Sequence, residues 1–326
     1  MKNITIPTLM AAVALSWLAA AGPAPAAEVL RFSHGTIDTN PHHLAAVQFA
    51  KEVEERTKGE IKVPIFPRSQ LGTGKGVVEG ILLGTIGISQ PAAGVIANWA
   101  PELNVINMPF VFRDADHFEK VWTGPVFDRF SAVMAKKGIR MLGMFTTGDR
   151  HIMTKKAVFG MADLKGRKIR AIGNPVHVAS FNAFGALATA IAYTEVYGSL
   201  QTGVVDGADA ANTNYFNQKF YEVAPYWALV AWLNFSNPLI MSEKKFQSLS
   251  PEQQKILLEA GAKASVLQRR LTTASNNAKL GELLAKGVKV TVPDPAPFRE
   301  ASKKVYAEFL KTDTEKELMR LIQEAK

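Results

Sequence analysis

The 326-residue sequence contains no cysteine. Disulfides and thiolate chemistry are therefore excluded, as is the N-terminal cysteine that a lipoprotein anchor requires. Long apolar runs are nearly as scarce. Leu9 to Leu18 has the length of a signal-peptide core, preceded by Lys2 and followed by Ala24-Pro25-Ala26, a small-x-small cleavage pattern. No later segment reaches about 18 uncharged apolar residues, the minimum for a spanning helix. These features predict a leader over 1–26, a mature chain from Ala27 and export to a periplasm, where core packing alone must hold the fold.

Motifs for phosphate, nucleophilic or metal chemistry are also missing. "LGTGKGVVEG" lacks the glycine and hydroxyl positions of a phosphate loop, because Ser69 stands at the first glycine position and Gly76 follows Lys75; Val77 breaks the dinucleotide pattern. There is no Gly-x-Ser-x-Gly elbow and no His-Glu-x-x-His. His34, His42 and His43 cluster near Asp38, a set that suits zinc or nickel. No fourth ligand at useful spacing is visible beyond Asp38, so the reading is of groups beside a cleft, with neither metal nor cofactor expected. Acidic residues are outnumbered, 29 against 38 Lys and Arg, for a formal charge of +9. The basic residues are scattered without an aromatic-basic stripe, so nucleic acid is not an expected partner. The excess reads as solubility, with a weaker attraction for anionic ligands.

The mature part shows strand and helix patterns in βαβ order. "EVLRFSH", a helix from about His42 to Thr57, "EIKVPIFP", a helix ending at Gly84 and "TIGISQP" imply a largely parallel sheet with crossover helices. A second series opens at "KIRAIG". From Ser250, an N-cap serine followed by proline starts a helical run of about ten turns without a strong breaker. So long a helix must cross more than one domain. About 300 mature residues exceed a single core, so two α/β domains around a cleft are expected. The expected division is 27–147 plus 236–275 for the first and 148–235 plus 276–326 for the second, joined by several strand crossings. The aromatics of "NYFNQKFY" read as core.

Two arginines stand out. Arg170 lies at the end of a short strand, before the turn Gly173-Asn174-Pro175, and Arg150 in "TTGDRHIM" is expected at a similar strand-loop junction beside Asp149. A guanidinium can hold a carboxylate through two parallel charge-assisted hydrogen bonds. At the carboxyl end of a parallel strand it would face the crevice where open α/β sheets bind ligands.

The chain resembles the solute-binding proteins of tripartite ATP-independent periplasmic (TRAP) transporters, of the DctP type. The likeness is carried by "FSHGTIDTNPHHLAAVQFAKEVEERTKGEIKVPIFPRSQLG", "INMPFVFRD", "DLKGRKIRAIGNPV", "YTEVYGSLQTGVVDGAD" and "NQKFYEVA", which together span the mature chain. It implies a two-lobed binding fold with a long helix across both lobes, a small-molecule carboxylate ligand, and delivery to integral-membrane permease subunits. It implies Arg170 as the principal carboxylate ligand, Arg150 as its assistant and Tyr193 as a packing surface. Where the family often has an asparagine, this chain has Ala210, with Asn212 and Asn214 close behind. Asn174, His34 and Gln90 complete the expected contacts. The expected solute is a C4-dicarboxylate or a related hydroxy, keto or aromatic acid. Two alternatives remain open: a binder of metal chelates or other solutes, suggested by the histidines, and a periplasmic enzyme using Glu195 or Asp206 as a base.

Overall fold

A computed structural model describes residues 26–325, so all but the last residue of the expected leader lies outside it. The chain begins with β1 (Glu28–Val29), β2 (Phe32–Ser33), α1 (Pro41–Arg56), β3 (Ile61–Lys62), β4 (Ile65–Phe66), α2 (Gly74–Leu83) and β5 (Ile88–Ser89). Helices α3 (Ala93–Ile96), α4 (Ala115–Thr123) and α5 (Pro125–Ala135) then lead into the long strand β6 (Ile139–Thr154). The second series is β7 (Lys168–Ala171), α6 (Pro175–Ala183), β8 (Leu187–Ala190), α7 (Val196–Thr202), β9 (Gly207–Ala210) and α8 (Asn212–Asn217). The chain returns through β10 (Tyr226–Ser242) and continues with α9 (Glu243–Gln247), α10 (Pro251–Ala285), β11 (Lys289–Thr291), α11 (Ala296–Phe309) and α12 (Asp313–Glu324).

Local chemistry sets these boundaries. The Asn40 side chain accepts from His42 N at the start of α1, and Gly84, at φ 78°, ends α2 in the left-handed conformation that glycine tolerates best. Ser250 and Gln253 close a capping box on α10, with Pro251 in its first turn. Its 35 residues make a rod about 50 Å long at 1.5 Å per residue. Buried Ile256, Leu257, Ala260 and Ala264 pack it into the core of the first lobe, while Leu283, near its end, packs into the second.

One sheet runs through both lobes in the order β4-β2-β5-β10-β6-β9-β7-β8, with β11 on β10. The outer strands pair in parallel: β2 with β4 and β5, and β7 with β8 and β9. The two central strands, of 16 and 17 residues, are antiparallel to each other. The sheet is therefore mixed rather than largely parallel. Their ladder is broken where the lobes meet. Register shifts fall between Ala228 and Leu233, between Phe235 and Ser236 and between Leu239 and Ile240, and Gly148 takes φ +84°. Pro238, which can donate nothing to the ladder, sits between two of these irregularities.

Two glycines let α10 lie directly on β6. A Cβ on Gly143 would collide with Ser265 Oγ and the Gly261 carbonyl, and one on Gly261 with the Leu142 carbonyl. α12 departs from the expected division. Leu318, Met319 and Ile322 join the core formed by α2 to α5, so the final helix packs with the first lobe rather than the second. α11 bridges the two, with Phe298 in one core and Val305 in the other.

The glycine contact generates a test. Gly261→Ala meets backbone rather than a flexible side chain, so α10 must move away from β6. The expected cost is the roughly 1–3 kcal/mol of overpacking, offset in part by the roughly 1 kcal/mol of helix propensity that alanine gains over glycine. Urea denaturation of the variant measures it, and unchanged stability would show that the helix-strand contact is loose.

Candidate functional site

A cavity of about 410 Å³ lies against both halves of the sheet. From the first lobe it is lined by Ser33 at the end of β2 and His34 after it, Ser89 and Gln90 at the end of β5, and the glycine-rich start of α2, which carries Lys75. From the second come Arg170 on β7, Ile191 to Thr194 after β8, and Asn214 on α8. Thr147, Arg150, Phe235 and Asn237 project from the two shared strands. Of the residues expected from sequence, Arg170, Arg150, Tyr193, Asn214, His34 and Gln90 meet here.

Asn174 and Asn212 do not line the cavity. The Asn174 carbonyl caps α6 by accepting from Val176 N and His177 N, and its amide donates to Gly94 O and Asn104 Oδ1, tying α6 to the first lobe. Asn212 accepts from Trp227 Nε1 and donates to Asn276 O, inside the second lobe. Both amides are occupied in packing. Glu195 and Asp206, the alternative bases, also lie outside the cavity lining, and the Asp206 carboxylate accepts from Lys168 N at 2.9 Å.

The two arginines are treated differently. Arg150 lies inside β6, not at a strand-loop junction, and its partner is Asp209 rather than Asp149. Its Nε donates to Asp209 Oδ2 at 2.8 Å and Nη2 to the Asp209 carbonyl at 2.6 Å, with the guanidinium 4.6 Å over the Phe235 ring. Burial alone would raise the Asp209 carboxyl, but the charge of Arg150 and its hydrogen bond hold it below the usual range. Asp149 instead accepts from Asn234 Nδ2. Arg170 has no acid. Its Nε donates to Ile191 O at 2.9 Å, and its two terminal nitrogens have no partner among the described residues. Burial outweighs the nearby Asp209 and, with the repulsion of Arg150, lowers its pKa to about 10. Tyr193 beside it is raised to about 12 by burial and stays a neutral phenol.

The histidine cluster satisfies itself. His34 Nδ1 accepts from Thr36 N, which leaves Nε2 to carry the proton and donate to His43 Nδ1 at 3.1 Å. Asp38 pairs instead with Arg68. No group of three or more His, Asp or Glu positioned to hold a metal occurs among the described residues. Ser33, Thr147, Phe235 and Asn237 carried no sequence signal as site residues. Phe235 and Asn237 sit in an apolar run that gives no hint of a cavity.

Comparison with known proteins places this architecture. The model of the bacterial extracellular solute-binding protein family 7, DctP, matches residues 32–313. The chain belongs to that family. It is 33% identical over 278 residues to the 2,3-diketo-L-gulonate-binding periplasmic protein YiaO of Escherichia coli K12, covering 85% of each chain. It is 28% identical over 298 residues to the sialic acid-binding periplasmic protein SiaP of Vibrio cholerae, covering 91% of this chain and 93% of that one. Its fold is similar to the crystal structure of a TRAP periplasmic solute-binding protein from Sulfitobacter sp. NAS-14.1 with bound β-D-galacturonate. That comparison has a TM-score of 0.88 at 31% identity and covers 91% of this chain and all of that one. A Polaromonas relative bound to D-erythronate gives 0.87 at 29% identity over 92% and 99%. This family-7 chain is thus a two-lobed TRAP solute-binding protein, and its family serves transport rather than catalysis.

The binding protein keeps most of its histidines uncharged. Burial lowers His34 and His177 to about 3 and His151 to about 4, and lowers His42 and His117 as well. In the unfolded chain these groups take up protons below about 6.5. Between that value and their folded values the unfolded state binds more protons, so stability is complete at neutral pH and falls as pH falls. Each such group contributes up to about 1.4 kcal/mol per pH unit. Urea midpoints should therefore drop steeply from pH 7 to 5, before most carboxylates titrate. A flat profile over that range would mean that the histidines are not desolvated.

Proposed function

We propose that this protein captures a small organic acid in the periplasm by its carboxylate and delivers it to a TRAP-type membrane permease. The observation that carries the reading is Arg170, a guanidinium only 3% exposed that lines the cavity, with neither terminal nitrogen bonded and no ion pair among the described residues. A buried cation without a counter-ion is costly unless a ligand supplies the charge. A carboxylate meeting both nitrogens would do so in the planar two-point geometry that arginine favours. Arg150 adds positive potential while Asp209 fixes its position, and Tyr193 and Phe235 give the ligand an apolar wall. The galacturonate, erythronate and diketogulonate named for the relatives are all carboxylates. The broken ladder between the lobes, with Gly148 at its centre, supports closure of one lobe onto the other, favoured as far as the ligand binds the closed form better. The expected leader and the periplasmic relatives support the location. Export of a tagged full-length chain to the periplasmic fraction, with loss of the first 26 residues, tests it.

The arginines separate in two measurements. Arg170→Ala should leave the unliganded protein as stable as before, since it removes an uncompensated charge, yet weaken ligand binding by about 2–5 kcal/mol. Arg170→Lys should recover little, because an ammonium cannot make the two-point contact. Arg150→Ala should instead cost folding stability, about 3–5 kcal/mol, by leaving Asp209 buried alone. The methyl ester of any acid that binds should bind far more weakly. Calorimetry with the acid that co-purifies, beside thermal unfolding of each variant, decides. Wild-type affinity in Arg170→Lys, or equal affinity for acid and ester, would overturn the carboxylate clamp.

A further inference from the structure

Lysines that lie far apart in the sequence gather on one edge of the second lobe. Six strands have one end there, in register. Tyr226, which opens β10, pairs with Lys289 of β11 and with Thr154 at the end of β6. Thr154 pairs with Gly207 of β9, Gly207 with Ile169 of β7, and Lys168 with Leu187 of β8. Backbone bonds from Lys155 N to Asp206 O and from Asp206 N to Lys168 O tie the ends of β6, β9 and β7 together. The carboxyl ends of β7 and β8 lead to the cavity, so this row is the opposite end of the same strands. Lys155 and Lys156 follow β6. Lys165 and Arg167 precede β7, which Lys168 opens. Lys286, just past the end of α10, precedes Lys289 at the start of β11.

The segments that make this edge, 155–168, 185–187, 203–207, 225–226 and 286–289, hold seven cations and two acids. Asp163 is occupied by the Phe159 and Gly160 amides, and Asp206 by the Lys168 amide. None of the seven cations forms an ion pair among the described residues, although such pairs occur over much of the remaining surface. Six of them are lysines. The one arginine turns its fork to the backbone: Arg167 Nη1 donates to Lys156 O at 2.6 Å and Nη2 to Ala157 O at 2.9 Å. The rings of Tyr226 and Tyr221, 5.1 and 5.6 Å from the ammonium groups of Lys289 and Lys286, steady those two without cancelling their charge. Phe159, Leu187 and Val204 stand exposed in the same segments.

We propose that this edge is a docking surface for anionic phospholipid headgroups, which holds the protein loosely against a membrane. Unpaired like charges on one edge repel, and a surface of opposite charge relieves them. Lipid phosphates form a diffuse field rather than a fixed pair of oxygens. Lysine, a hydrated point charge on a flexible stem, suits such a field. The carboxylates of an acidic protein are met better by the planar fork of arginine, and here the only fork is turned to backbone carbonyls. Exposed apolar side chains among lysines are also the composition that settles into the headgroup boundary. Attraction through exposed lysines is screened by salt, so the contact is weak and reversible. A binding protein held in this way searches for a membrane partner in two dimensions rather than three. No part of the inference depends on Arg170 or on the ligand.

Co-sedimentation of the chain from Ala27 to Lys326 with phosphatidylcholine vesicles, with and without about one-third phosphatidylglycerol, is the test. The anionic vesicles should bind at least about tenfold more tightly than the neutral ones, and raising salt from about 0.05 M to about 0.5 M should remove most of that binding. Lys156→Glu, Lys165→Glu and Lys286→Glu combined should weaken binding to the anionic vesicles by at least about tenfold, with thermal unfolding unchanged. The same change of charge on the first lobe, in Lys120→Glu, Lys136→Glu and Lys255→Glu combined, should weaken it by less than about threefold at about 0.1 M salt, where distant charges are screened. Arg170→Ala should bind vesicles like wild type, which separates this surface from the carboxylate clamp. Equal binding to neutral and anionic vesicles, or an equal loss in the two triple variants, would overturn the inference. Loss of vesicle binding in Arg170→Ala would place the contact at the cleft and overturn it as well. Tighter binding to poly-glutamate than to anionic vesicles, at equal concentration of anionic groups, would overturn it in favour of an acidic protein. The lipid preference and the poly-glutamate comparison use the wild-type chain alone, so they decide the matter even if a triple variant does not fold.

Discussion

The antiparallel pairing of β6 with β10 is the constraint on which the rest of the molecule depends. Both strands belong to both lobes, so neither lobe has a complete sheet without them. At one end they carry β5 and at the other β9 and β11, and α10 lies along β6 through the glycine contact at Gly143 and Gly261. The ladder shifts register at three places along its length, between Ala228 and Leu233, Phe235 and Ser236, and Leu239 and Ile240. Regular pairing is stiff; bulges and a left-handed glycine are where a ribbon can bend without breaking core contacts. The same stretch supplies Thr147, Arg150, Phe235 and Asn237 to the cavity, so part of the cavity wall sits on the segment best able to flex.

That arrangement explains why two neighbouring arginines have opposite fates. Arg150 stands on the shared ribbon, where an unpaired charge would tax both lobes, and it is neutralised by Asp209 on the adjacent strand. Arg170 stands on β7, supported by a single carbonyl, and is left uncompensated. Asp209 also reaches Arg170 electrostatically, which softens the cost without occupying the fork. A salt bridge at each arginine would have given a more stable protein and a weaker binder. An acid at neither would have placed two buried cations side by side.

Much of this could be read along the chain. The βαβ order, the capped α1 and the proline-started α10 announce themselves through local periodicity and end signals, and Arg170 through its place before a turn. What stayed hidden was non-local or lacked a pattern. β10 is buried along most of its length, so "YWALVAWLNFSNPLIMS" has no polar-apolar alternation, and Pro238 argues against a central strand. Asp149 is next to Arg150 in sequence, but successive strand residues point to opposite faces, so the partner had to come from elsewhere. It comes from Asp209, 59 residues away, and only the β6–β9 register makes that pair visible. Asn174 and Asn212 have the right chemistry for ligands, but Asn174 is consumed by a helix cap and a contact between lobes, and Asn212 by an indole and a carbonyl of its own lobe.

The free fork of Arg170 also says how binding and closure can be joined. On the proposed reading, a carboxylate that meets only Arg170 gains little from bringing the lobes together. A ligand long enough to touch the first-lobe wall as well gains most in the closed form. Since a ligand shifts a conformational equilibrium only by its differential affinity for the two states, the acid that fits both ends is also the acid that closes the protein. A permease that recognises the closed shape would then receive the correct solute without contacting it.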